Sequence, residues 1–79
     1  MANFILYQTL NINTFTVKIY HIENENINST DIANALSDTE SLEYPSQVVE
    51  KLQDLDGVSK IEIFNEQNEL LVNSEKFLP

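Results

Sequence analysis

The sequence predicts a single small α+β domain of order ββ-αα-ββ, a mainly antiparallel four-stranded sheet carrying one short and one longer helix on one face. Three observations predict it. Period-two alternation runs through residues 15–22 and 58–64, and each run has a second β-forming segment beside it. Apolar residues at spacings of three and four fall between these runs, at Ile32, Ala35 and Leu36 and again at Val48, Val49, Leu52 and Leu55. The length, 79 residues, suits one hydrophobic core and no second domain.

Each element has a local reason. Residues 4–10 are rich in β-formers, and Asn11 to Thr14 follow as a turn, since Asn tolerates positive φ. In residues 15–22, Phe15, Val17 and Ile19 face one side and Thr16, Lys18 and Tyr20 the other, so the two runs read as a hairpin. Residues 23–28 are a polar connector, after which Ser29, Thr30 and Asp31 offer capping side chains to a helix over about residues 31–37. Ser37 and Glu40 have capping-box spacing for another turn, but Tyr44-Pro45 breaks any continuous helix. Pro45 suits the first turn of a second helix over residues 45–55, with Asp56-Gly57 ending it and Gly57 available as a left-handed cap. Residues 58–64 alternate, residues 65–68 form a turn and residues 69–73 supply the partner strand. Phe77 and Leu78 remain as apolar anchors in the tail. Strand order does not follow from the pattern.

Composition excludes several classes of function. The chain has 13 Asp and Glu against 4 Lys and no Arg, a net charge of -9 and a pI near 4.1. Direct nucleic-acid binding and adhesion to an anionic membrane both need the opposite sign. With no Cys and one His, there is no disulfide framework, thiolate site or multi-histidine metal centre. The single Gly removes a glycine-rich phosphate loop. Asp54-Leu55-Asp56-Gly57 has the look of a calcium-loop fragment. With Gly57 at the sixth position, however, Leu52 and Ile63 occupy the two end-ligand places. His21 closes an alternating strand and reads as a packed strand-end residue. An enzyme is not expected, and neither is a cofactor. The apolar stretch from Phe4 to Tyr7 is far short of the ~20 residues that span a bilayer, and no basic segment precedes it. Asn28-Ser29-Thr30 fits a glycosylation acceptor but has no secretory context. A cytoplasmic protein is the expectation.

The positions of the acids are informative. Residues 1–22 carry only Lys18, residues 23–57 carry nine acids against Lys51, and residues 58–79 carry four acids against Lys60 and Lys76. Nearly all the excess therefore falls on the helical region. On the second helix Gln47, Glu50 and Asp54 share a face away from the apolar stripe, and Glu50 and Asp54 are like charges at i, i+4. Asp54 and Asp56 also sit near the helix C-terminus, the wrong end for an acid. These conflicts with helix stability point to a surface kept for recognition. Carboxylates ~5–6 Å apart on a helix stand near the phosphate step of a nucleic-acid strand. Such a row can occupy the groove of a basic nucleic-acid-binding protein, through Glu40, Glu43, Glu50, Asp54 and Asp56, with Tyr44 as an aromatic anchor. The plain alternative is a solvated acidic surface that maintains solubility.

In size, acidity and lack of catalytic residues the chain resembles the small inhibitors of phages and mobile elements, anti-CRISPR and anti-restriction proteins that act as nucleic-acid mimics. The resemblance covers bulk properties along the whole chain and no motif. It implies a non-enzymatic inhibitor whose partner is a basic nucleic-acid-binding protein. The alternative is an antitoxin, immunity or adaptor protein acting through the near-neutral N-terminal hairpin or a sheet edge. Homodimerisation through an edge strand or through Phe77-Leu78 is a further expectation, because small domains gain stability that way.

Overall fold

The computed structural model describes residues 3–37 and 42–75. The elements are β1 (Phe4–Ile12), β2 (Phe15–Ile22), α1 (Ser29–Ala35), α2 (Pro45–Leu52), β3 (Lys60–Phe64) and β4 (Leu70–Glu75). All strands pair antiparallel in one sheet of order β1-β2-β3-β4, so the predicted α+β class and element order hold.

The inner face of the sheet is built from the alternation. Leu10, Val17, Ile63 and Val72 lie in one cross-strand row, and Gln8, Ile19, Ile61 and Ser74 in the next. Val17, Ile19 and Ile63 are 0% exposed and Ile61 is 2% exposed, which places the core over the two central strands. Ile32 and Leu36 from the first helical segment, Val48 and Leu52 from α2, and Leu42 and Val58 from the flanking loops complete it. α2 packs over β3 and β4, and α1 packs against α2. Burying a side chain such as Ile19 contributes about 1.5–3 kcal/mol.

Local chemistry moved several boundaries. β1 continues to Ile12 because the turn needs only Asn13 and Thr14, with Asn13 at φ 56. A register shift between Leu6 and Gln8 leaves Tyr7 as the bulged residue of β1. α1 starts at Ser29, two residues early, because the cap is Asn28, whose Oδ1 accepts from the Thr30 and Asp31 N–H groups at 2.9 and 3.4 Å. α2 stops at Leu52, not residue 55, and the chain continues through turns, with the Leu55 N–H on the Leu52 carbonyl. The helices are therefore nearly equal, seven and eight residues. β3 starts at Lys60 and β4 runs to Glu75. In the turn between them Asn65 Oδ1 accepts the Gln67 and Glu69 N–H groups, both at 2.9 Å, and Asn68 takes φ 64. The Ser37–Glu40 capping spacing and the Phe77-Leu78 anchors extend beyond the described residues.

The helical excursion leaves β2 and returns to β3 at the same end of the sheet, and its two ends are joined. The Ser59 N–H donates to the Tyr20 carbonyl at 2.9 Å, and the buried Ser59 hydroxyl donates to Glu25 Oε2 at 2.5 Å. Gly57 is not a cap of α2 but the residue that lets these ends meet. Its φ is +87, and a Cβ there would lie 2.1 Å from the Asn26 carbonyl oxygen. Left-handed backbone and a clash with main chain add together. Gly57→Ala is expected to cost on the order of 2 kcal/mol or more, measured as a lower midpoint in urea unfolding at unchanged slope.

Candidate functional site

The described lysines of the sheet are engaged on its outer face, away from the helices. Lys18 Nζ lies 5.1 Å from the centre of the Phe64 ring. Lys60 Nζ lies 5.3 Å from the Phe4 ring centre and 5.2 Å from that of Tyr20, and it pairs with Glu62 at 3.7 Å and Glu75 at 3.6 Å. The Tyr20 phenol is pushed up to about 12, first by its hydrogen bond to Glu62, then by burial and by the negative charge of that carboxylate. Two lysines and two glutamates thus balance on this face.

The helical layer has no such balance. Glu43 and Tyr44 stand just before α2, both exposed, Tyr44 at 63%. Gln47 holds them in place: its Oε1 accepts the Glu43 and Tyr44 N–H groups, both at 2.8 Å, while its own N–H donates to the Tyr44 carbonyl at 3.1 Å. Val48 and Leu52 point into the core, so at ~100° per residue Glu50 projects from nearly the opposite side of the helix. Asp54 and Asp56 are exposed in the turns that follow. Among the described residues the ion pairs are those of Lys60, so Lys51 neutralises none of these acids.

The structure therefore places Glu43, Tyr44, Glu50, Asp54 and Asp56 along and beyond one short helix, about 12 Å in length. Glu40 lies outside the described residues. Two expectations about this row are corrected. Asp54 is beyond the C-cap residue Gln53, so Glu50 and Asp54 are not an i, i+4 helical pair. Gln47 does not join the acids on the outward face, because its amide folds back to cap the helix. That role was not expected from the pattern of acids, although Gln three residues after the N-cap is the position from which such a bond is made. Glu25, an acid of the polar connector, accepts the Ser59 hydroxyl.

The remaining candidates are structural. His21 Nδ1 lies 3.0 Å from the Ile22 carbonyl oxygen, and its ring meets Tyr7 edge-on at 6.3 Å. Among the described residues no three His, Asp or Glu side chains gather to hold a metal, and no helix is long and apolar enough to cross a membrane. No protein-family model matches the chain, and no curated protein or solved structure matches it.

Gln47→Ala is expected to cost about 1 kcal/mol in chemical denaturation, by freeing the N–H groups of Glu43 and Tyr44. The fold favours the neutral Tyr20 phenol, so this stabilisation is complete below pH 10.0 and is lost as pH rises through about 12. Glu62→Gln should bring the Tyr20 midpoint down towards 10.0, read from phenolate absorbance in the folded protein.

Proposed function

We propose that this chain is a non-enzymatic acidic inhibitor that binds a basic nucleic-acid-binding protein and blocks its groove in place of nucleic-acid phosphates. One observation carries the reading. Glu43, Glu50, Asp54 and Asp56 are all exposed on one layer with no cationic partner among the described residues, while Lys18 and Lys60 are engaged on the far side of the sheet. Such carboxylates raise the local negative potential, attract a cationic surface at long range and stay available to pair with Lys or Arg on contact. Glu40 is a further acid of the proposal and lies outside the described residues. Tyr44 adds a large amphipathic ring that a partner can bury at little entropic cost.

A second reading has an observation of its own. Ile5, Leu6 and Tyr7 on β1 are 42%, 47% and 38% exposed, so an antitoxin, immunity or adaptor protein would use this hairpin to add a strand to its partner.

Affinity capture from bacterial lysate at two salt concentrations, with the bound proteins identified by mass spectrometry, separates the two. The inhibitor reading expects a basic nucleic-acid-binding protein that is retained at low salt, released at high salt and displaced by added DNA or RNA. Reversing Glu50 and Asp54 to Lys should weaken that contact at least ~10-fold. Capture that is indifferent both to salt and to the reversal excludes the mimic mechanism and leaves the strand-edge reading.

A further inference from the structure

We infer that β1 pairs antiparallel with β1 of a second copy of this chain, joining two sheets edge to edge. The sheet order leaves β1 and β4 as the edges. β1 is the longer, nine residues against six, and extends about 30 Å. An edge strand of this length presents a row of unpaired N–H and C=O groups that another strand can satisfy. Edges that stay unpaired usually carry a charge, a proline or a cover, and β1 has neither charge nor proline. β4 carries Glu75, whereas both edges have one register shift, between Leu6 and Gln8 in β1 and beside Phe64 at β4.

Charge selects the occupant. Each copy has a net charge of -9, so two copies repel over most orientations. The first charged side chain in the sequence is Lys18, so the whole of β1 and its turn are uncharged. α1 keeps the same rule where it runs beside β1. Ser29, Ile32, Ala33 and Leu36 join Gln8, Leu10, Asn11 and Ile12 around a groove of about 300 Å³. At ~100° per residue the one acid of α1, Asp31, falls on the opposite flank from Ala33. This neutral strip is where a copy of equal charge can approach without meeting an acid. A two-fold axis makes the contact self-complementary, because each protomer offers an uncharged nine-residue strand and the same apolar groove. The contact does not involve α2 and is independent of the acidic-inhibitor reading.

The test is the mass of the full chain in solution, by light scattering and sedimentation over a range of concentrations. The expected value for the wild type is twice 9.1 kDa, falling to 9.1 kDa on dilution. Leu6→Glu on the exposed edge and Ala33→Glu in the groove each add an acid to the neutral strip of both copies. Each should raise the dimer dissociation constant at least ~10-fold while the far-UV circular dichroism stays that of the folded monomer. Glu50→Lys, on α2 and away from β1, should leave the dimer in place. A wild-type chain that stays monomeric up to about 1 mM overturns the inference. So does a dimer that survives both Leu6→Glu and Ala33→Glu, or an edge that takes up a foreign strand while never pairing with itself.

Discussion

The antiparallel pairing of β2 with β3 is the constraint on which the rest of the molecule depends. These strands are separated by the entire helical region, yet Val17 lies opposite Ile63 and Ile19 opposite Ile61. That register puts four of the best-buried side chains in one block and gives both helices a surface to cover. The excursion is held where it begins and ends, by Ser59 on Tyr20 and Glu25 and by the close approach of Gly57 to Asn26. A one-residue slip would turn either Lys18 and Tyr20 of β2 or Glu62 of β3 into the core, which the cost of burying unpaired charge forbids.

The same register separates the charges. Alternation sends Lys18, Tyr20, Lys60 and Glu62 to the outer face, where rings and carboxylates satisfy them. The helical stripe sends Glu50 to the opposite side of the molecule. Around a single core there are thus two polar surfaces, one balanced and one strongly negative. The helix helps to limit the cost of the second. By stopping at Leu52 it leaves Asp54 outside the regular turn, and the like-charge penalty of a few tenths of a kcal/mol expected for a helical Glu50–Asp54 pair does not arise in that form. Capping by Asn28 and Gln47 supports helices that at seven and eight residues are too short to persist alone.

The two proposed contact surfaces are kept apart by the strand order. α2 rests over β3 and β4, whereas β1 forms the far edge of the sheet beside α1. A partner drawn to the acids beside α2 and a second copy paired on β1 therefore approach different sides. In such a pair the acidic layers would be carried outward, one from each protomer.

Much of this was legible in the chain. The clean alternation of Phe15 to Ile22 and of Ile61 and Ile63 identified the strands, because a sheet with one covered face imposes period two. Pro45 after Tyr44 located the start of the second helix, since proline is pre-set for its first turn. The sign of the charge and its concentration in the helical region were also plain from the sequence, because charge is a property of composition. Tertiary structure alone decided the strand order, since pairing between distant strands depends on which apolar faces share a cover. It alone decided the end of α2, where the return to β3 overrides a pattern that continues to Leu55, and the roles of Gln47, Glu25 and Gly57, each defined by a neighbour that only folding brings within reach.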